Sequence, residues 1–424
     1  MNIRVTPNNA AQDEPSVAVN LQNPNTIIAT ANDFRLGPSR TGLYRSTDKG
    51  KTWTNTILPL PAGFTEGADG VVNYGGDNFF LVSGVVFNRD AAGNGIDTTT
   101  VVYRSTNNGQ TFSAPIIVNR GAGAAEINDK NWSAIDISRK SRFRGRAYIS
   151  YTQFTANGSQ ILFQNSTNGG VTWSAPIPIS AVTAGNTFVQ GSNLQVGPRG
   201  EVYVAWLERQ QFNNGNVAFF RIRRSNDGGV TFGPIVTVSQ FAATPFTLNA
   251  NVPTWQFRAS SNAYLAVDTS KGRFKGRVYA VWQDYSTGNS HILASHSDNG
   301  VNWTTPVRVD SRNPENTQNF WPFPVVTLSK GTVKVIYYSN RVAGTNLLDV
   351  FVSESSNGGK SFRNNKRITT QSSNPGNTQF MGDYIFAAIN PSEGLVAVWT
   401  DFRTGNQDIF IEVQSSRKRK GPKH

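Results

Sequence analysis

The octapeptide STDKGKTW at residues 46–53 returns five more times. The copies are STNNGQTF at 105–112, STNGGVTW at 166–173, SNDGGVTF at 225–232, HSDNGVNW at 296–303 and SSNGGKSF at 355–362. Their shared glycines, Gly50, Gly109, Gly170, Gly229, Gly300 and Gly359, stand 59, 61, 59, 71 and 59 residues apart. A period of that length marks an architecture built by repetition. Within the octapeptide, Ser and Asp or Asn side chains can accept hydrogen bonds from turn amides, and the glycine takes the positive φ that closes a hairpin. The closing Trp or Phe then buries a large apolar area. Asp48, Asp227 and Asp298 alternate with Asn107, Asn168 and Asn357. Asn keeps the acceptor but cannot act as a general base, so the turn reads as structural. No Glu closes it as a calcium loop.

Ahead of each turn come an apolar strand, a second apolar strand and a third that enters the turn; a fourth follows. The second strands align as TIIATANDFR, NFFLVSGVVF, RAYISYTQF, EVYVAWLER, RVYAVWQDY, VKVIYYSNR and LVAVWTDFR, seven in all against six turns. Val, Ile, Tyr and Phe bounded by Gly, Asn and Pro read as strands, and four antiparallel strands per repeat make a propeller blade. The last repeat, from FMGDYIFAAI at 380–389 to QDIFIEV at 407–413, ends where its turn would fall. NIRVTP at 2–7 resembles the fourth strands PVRVDS and KRITTQ. The expectation is an all-β, seven-bladed propeller closed by pairing residues 2–7 with 407–413, which leaves no open sheet edge. A six-bladed ring with an extra strand segment is the competing count.

The chain has 424 residues, 39 glycines, 16% charged residues and no linker-like stretch, which predicts one propeller domain over 1–414. Residues 415–424 read as a disordered basic tail. The net charge is +13, but Arg417, Lys418, Arg419, Lys420 and Lys423 lie in that tail, so the body carries +13 less five, or +8. A basic body suits an anionic glycan or another anionic surface polymer as partner. Nucleic acid is disfavoured, because no recognised binding module is present. With no cysteine, disulfides and thiolate metal sites are excluded. The N-terminus has no signal-peptide core and no run is long enough to span a membrane. The chain reads as soluble and is expected outside the cell or at its surface; oligomeric state is not readable. Three histidines form no metal pattern, and no P-loop, dinucleotide fingerprint or GxSxG elbow occurs, so neither metal nor cofactor is expected.

The repeated turn resembles the Asp-box, or BNR repeat, of the sialidase (neuraminidase) superfamily, with six near-complete copies over residues 46–362. The same box occurs in other propeller hydrolases, in sorting receptors and in assembly factors, so it marks fold more than chemistry. The resemblance implies three arginines gripping a substrate carboxylate, an Asp acid/base and a Tyr nucleophile activated by a Glu. The family's first arginine sits in a Phe/Tyr-Arg-Ile-Pro motif. Asp13-Glu14-Pro15-Ser16 stands there instead, without the arginine.

Boxes between third and fourth strands occupy one face of the ring, so the site is expected on the other. That face receives the loops after the second strands, with Asp33 and Arg35, Glu208 and Arg209, Asp284 and Tyr285, Asn340 and Arg341, and Asp401 and Arg403. It also receives the connections between blades, with Asp13, Glu14, Glu66, Asp69, Glu126, Asp129, Lys130, Trp132, Arg258, Trp321, Asp383 and Tyr384. Carboxylates among arginines near a ring axis can protonate a glycosidic oxygen and orient an anionic sugar. The catalytic candidates are Asp383, Tyr384, Asp69, Asp129 and Glu208. Substrate-binding candidates are Arg35, Arg209, Arg258, Arg341 and Arg403, with Trp255 and Trp321 as rings for stacking on sugar faces or, equally, as core aromatics. The long connection at 241–260 accounts for the 71-residue interval and is a natural carrier of function. Two functions fit: an exo-glycosidase acting on an anionic or surface glycan, and a non-catalytic lectin-like or scaffold propeller.

Overall fold

The computed structural model describes residues 1–6, 8–212, 215–342 and 346–414. It contains seven four-stranded antiparallel sheets and, among the described residues, no helix. The first strands of the blades are Gln12–Val19, Glu66–Gly76, Glu126–Ile135, Thr187–Val196, Ala263–Val267, Asn319–Val326 and Phe386–Ile389. Each contacts the first strand of the blade on either side, and the seventh contacts the first, so the sheets close into a seven-bladed β-propeller.

Closure uses both ends of the chain. Ile3–Arg4 is the outer strand of the sheet that also holds Phe386–Ile389, Leu395–Asp401 and Asp408–Val413. Ile3 pairs with Ile411 and Arg4 with Phe410, and the Val5 amide donates to the Ile409 carbonyl at 2.7 Å. Arg4 also forms an ion pair with buried Asp408 at 2.7 Å. The expected closure over 2–7 therefore holds in the pairing of this segment; Pro7 and the tail at 415–424 lie outside the described residues.

The six glycine turns are built by their own side chains. In the first, Ser46 Oγ accepts from the Gly50 amide at 2.8 Å, and Asp48 Oδ1 accepts from the amides of Lys51 and Thr52, each at 2.9 Å. The exposed Asp48 carboxyl is held at about 2, chiefly by the Thr52 hydroxyl and amide. The fifth turn corrects the aligned reading of Asp298. Ser297 bonds the Gly300 amide, and Asn299 accepts from Val301 and Asn302, so this turn is one residue tighter. Asp298 is left to pair with Arg277 at 2.7 Å. The turn aromatics pack between blades, as where Phe232 meets Phe163 edge-on at 4.9 Å.

On the ring axis, the inward side chains form an aromatic plug. Trp132 stacks on Phe386 (5.3 Å) and Phe323 (5.9 Å) and touches Tyr264 (5.6 Å), and Phe323 lies 4.2 Å from Phe386. The plug separates an apolar hollow of about 290 Å³, lined by Val17, Val72, Leu194, Val267 and Ile389, from a polar cleft at the opposite mouth.

Candidate functional site

The polar cleft opens on the face away from the glycine turns and has a volume of about 700 Å³. What places charge in it is a repeated irregularity of the first strands. The pairing register slips at Asp13/Ser16, Ala68/Val71, Asp129/Trp132, Gln190/Asn193 and Phe320/Phe323. Inside each bulge one residue is left-handed: Glu14 (φ 53°), Asp69 (54°), Lys130 (51°), Gly191 (69°) and Trp321 (48°). Gly382 (95°) lies just ahead of the seventh first strand. A left-handed non-glycine residue costs roughly 1–2 kcal/mol. In blades one to three that strain turns Glu14, Asp69 and Lys130 into one cleft, and such outliers cluster at functional sites.

Lys130 is the hub. Its ammonium lies 3.3 Å from Asp383, 3.7 Å from Glu14 and 4.0 Å from Asp69, and 4.2 Å above the ring of Tyr384. Any two of these carboxylate oxygens are thus at most twice 4.0 Å apart. Arg258 holds Asp383 from the other side with two bonds of 2.6 Å. The amide of Asn32 donates to Asp13 (2.9 Å) and Glu14 (2.8 Å), while its carbonyl oxygen accepts from the Asp69 amide. Gln190 donates to Asp129 at 3.1 Å, Asn262 to the Asp383 carbonyl at 2.6 Å, and the Tyr384 hydroxyl to Asp69 at 3.3 Å.

Five carboxyls, Asp13, Glu14, Asp69, Asp129 and Asp383, thus share two cations. Burial disfavours the charged form, and like charges add to the effect. Burial raises Asp13 to about 7, with Asn32 opposing and Asp383 and Asp69 adding to the rise. Burial raises Asp129 to about 6, reinforced by Asp69 and countered by Lys130. Glu14 is pushed well above its ordinary value, mainly by burial. Asp383 moves the other way: burial is outweighed by Lys130 and Arg258, and its pKa is lowered. Lys130 is raised because Asp383, Glu14 and Asp69 outweigh its own desolvation. Burial raises the phenol of Tyr384.

Of the sequence candidates, Asp69, Asp129, Asp383, Arg209 and Arg258 line the cleft together. Tyr384 lies beneath it, 2% exposed. The others are engaged within their blades. Glu208 is bidentate with Arg221 at 3.0 Å, Arg35 pairs with Asp33 and Arg403 with Asp401. Arg341 bonds Asn313 and the Asn365 carbonyl and lies 4.0 Å from the Phe351 ring. Trp255 and Trp321, open in the sequence between sugar stacking and the core, are 0% and 1% exposed, so both are core rings and neither reaches the cleft. Trp255 anchors the long connection by donating to the Asn346 carbonyl at 3.2 Å, in a cluster with Phe257 and Phe320.

The cleft also has an aromatic rim that no repeated motif of the sequence marks. Phe34, Phe87, Phe188, Phe246 and Phe380 line it, and Phe246, on the long connection, is 65% exposed. Arginines lie against three of these rings: Arg89 on Phe87 (5.2 Å), Arg209 on Phe188 (6.0 Å) and Arg258 on Phe380 (4.6 Å). Arg89 pairs with Glu66 and Arg258 with Asp383. Arg209 donates to the Thr244 carbonyl at 2.7 Å and, among the described residues, has no carboxylate partner. Among them, too, no cluster of His, Asp and Glu has a metal-binding arrangement, and no helix is long and apolar enough to cross a membrane.

Fold and site together define a seven-bladed β-propeller with an acid-rich axial cleft rimmed by phenylalanines. No protein-family model and no curated protein matches the sequence. Among solved structures, the chain is similar to an ulvan lyase, a polysaccharide lyase, at 11% identity and TM-score 0.54, covering 98% of this chain and 96% of that one. It is also similar to the α-L-arabinofuranosidase of Fusarium graminearum (10% identity, TM-score 0.52, 98% and 96% covered). A Hadza microbial sialidase matches at 12% identity and TM-score 0.51, with 92% and 73% covered. At these identities the likeness is one of fold; the neighbours themselves are glycan-active propellers.

Proposed function

We propose that the axial cleft is a carbohydrate-cleaving site, a glycosidase acting on an anionic glycan. One observation carries the reading: Asp129 and Asp383 line the same cleft with pKa values displaced in opposite directions. Two carboxyls whose surroundings separate them in this way suit an acid and an ionised partner. Asp129, near 6, keeps a proton to give to the glycosidic oxygen as the bond breaks. Asp383, held ionised by Lys130 and Arg258, faces the developing oxocarbenium charge. Phe34 and Phe246, the rim rings with no arginine over them among the described residues, offer apolar faces to sugar rings, and Arg209, free of a carboxylate partner among the described residues, suits a sugar acid.

The sialidase form of this chemistry is the weaker fit, even though the glycine turns resemble Asp-boxes. Tyr384 is buried with a raised pKa and rests under Lys130, which does not suit a nucleophilic phenol. Glu14 and Pro15 stand where the first arginine motif would be. The test is hydrolysis of a panel of aryl glycosides, sialoside and uronides included, together with defined acidic polysaccharides. Turnover by the wild type that falls at least about a thousandfold in D129N and in D383N supports the assignment. Glycan binding on an array without turnover of any substrate overturns it in favour of a lectin-like propeller.

A further inference from the structure

The glycine-turn face carries a feature unrelated to the cleft. DISRKSRFRGR at 136–146 and DTSKGRFKGR at 268–277 join the first and second strands of blades three and five, and they are two copies of one loop. Both close with the same bonds. The Asp136 and Asp268 amides donate to the Arg146 and Arg277 carbonyls at 3.0 and 2.9 Å, and the Gly145 and Gly276 amides donate back to the Asp136 and Asp268 carbonyls at 2.8 and 2.7 Å. Ser138 and Ser270 amides bond the buried Asp136 and Asp268 carboxylates. In each, the last arginine reaches the glycine turn of the next blade: Arg146 to the Gly228 carbonyl at 3.0 Å and Arg277 to that of Gly358 at 2.8 Å.

These bonds fix the backbone and leave the cations outside. Arg139, Lys140, Arg142, Lys271, Arg273 and Lys275 are exposed and, among the described residues, have no ion pair; Arg144 reaches only exposed Asp77, at 3.8 Å. Between them, blade four presents Arg199, its side chain 78% exposed. Nearby carboxylates are already engaged: Asp136 and Asp268 are buried beneath the loops, Glu201 pairs with Arg199 and Arg224, Asp298 with Arg277, and Asp227 with Thr231. Apart from Arg199, bonded to Glu201, and Arg144, near Asp77, the cations of this rigid arc therefore have no carboxylate partner among the described residues.

We propose that this arc is a second binding surface, for a polysaccharide dense in sulfate or carboxylate groups. The other polyanions fit less well. The loop rings Phe143 and Phe274 lie beneath arginines, Arg146 at 4.8 Å and Arg277 at 4.5 Å, so they offer no stacking platform for bases. The loops are pinned to the face, with no helix or ribbon projecting to enter a duplex groove. The large apolar side chains exposed in the loops and at neighbouring turn tips are Ile137, Val171, Val230 and Val301, with no aromatic anchor of a bilayer surface among them.

Heparin and polygalacturonate serve as probes on the full chain, with neutral dextran, a DNA duplex and phosphatidylserine vesicles alongside. Neutralising one loop (R139Q/K140Q/R142Q or K271Q/R273Q/K275Q) should weaken binding to the anionic polysaccharides about tenfold. Neutralising both should weaken it about a hundredfold and flatten the dependence of log K on log salt, since fewer counterions are released. The melting temperature and any turnover of small aryl glycosides should not change. Binding that is untouched by the loop variants but lost when Arg417, Lys418, Arg419, Lys420 and Lys423 are replaced by Gln would overturn the proposal. Tighter loop-dependent binding to the duplex or the vesicles than to either polysaccharide would overturn the choice of partner.

Discussion

Asp129 and Asp383 differ in what surrounds their carboxyls, and pH-dependent behaviour follows from that difference. With Asp129 near 6 as the proton donor, glycan cleavage should fall as pH rises through about 6. With Asp383 depressed below its ordinary value, the acid limb should lie below about 4. A rate profile on an acidic aryl glycoside checks both limbs, and R258A, which removes the bidentate partner of Asp383, should move the acid limb upward. Stability has its own sign. Asp13 titrates near 7 in the folded chain and lower when unfolded, so the native state holds the extra proton. The stabilisation from this group is full at low pH and is lost as pH rises towards about 7. D13N keeps an oxygen to accept from Asn32 and should flatten that slope in urea titrations at pH 4.5 and 7.5. Lys130→Met leaves Glu14, Asp69 and Asp383 without their shared cation and should cost about 3–5 kcal/mol at pH 7. The loss should be smaller at pH 4, where Glu14, raised by burial, is protonated and needs no cation.

At the scale of elements, the closing strand and the bulges show what a sequence can and cannot disclose. The spacing of the glycine turns made the blades countable, and their absence from the last repeat pointed to the N-terminal segment as the missing strand. That segment is short, yet Val5 and Thr6 are fully buried. V5D should open the edge of Asp408–Val413, lowering the melting temperature and promoting association measurable by light scattering. The bulges have little mark in the sequence, because Glu14, Lys130 and Trp321 carry no residue-type signal for a left-handed φ, Asp69 only the weak one of an aspartate, and Gly191 alone among the bulge residues the strong one. Carboxylate-rich connections could be named, but which charges meet at the axis depends on those bulges. Tryptophan likewise announces burial or display equally well. Trp255 and Trp321 went inward, and the exposed ring on the long connection is Phe246. The arginines after the second strands were legible as a pattern, and pairs such as Asp33–Arg35 and Asp401–Arg403 explain it as bonding within a blade.

Across the whole molecule, the axis joins two unlike mouths, and the plug of Trp132, Tyr264, Phe323 and Phe386 keeps them apart. Trp132 follows Lys130 by two residues, and the two line one small space under the cleft with Tyr264 and Tyr384. The raised pKa values of Asp13, Glu14 and Asp129 arise mainly from burial, so they depend on water being kept from beneath the cleft as well as above it. Trp132→Ala removes the ring that stacks on Phe323 and Phe386 and should cost about 3–5 kcal/mol in stability. It should also admit water along the axis from the apolar mouth. Asp129 would then ionise more readily, and the alkaline limb of the rate profile should move from about 6 towards the ordinary aspartate value near 4. Trp132→Phe keeps an aromatic ring in the gap and should leave that limb in place with a smaller loss of stability. A limb unmoved in Trp132→Ala, in a variant that still folds, would show that the carboxyl cluster is kept dry by its own side chains and that the plug serves only the core.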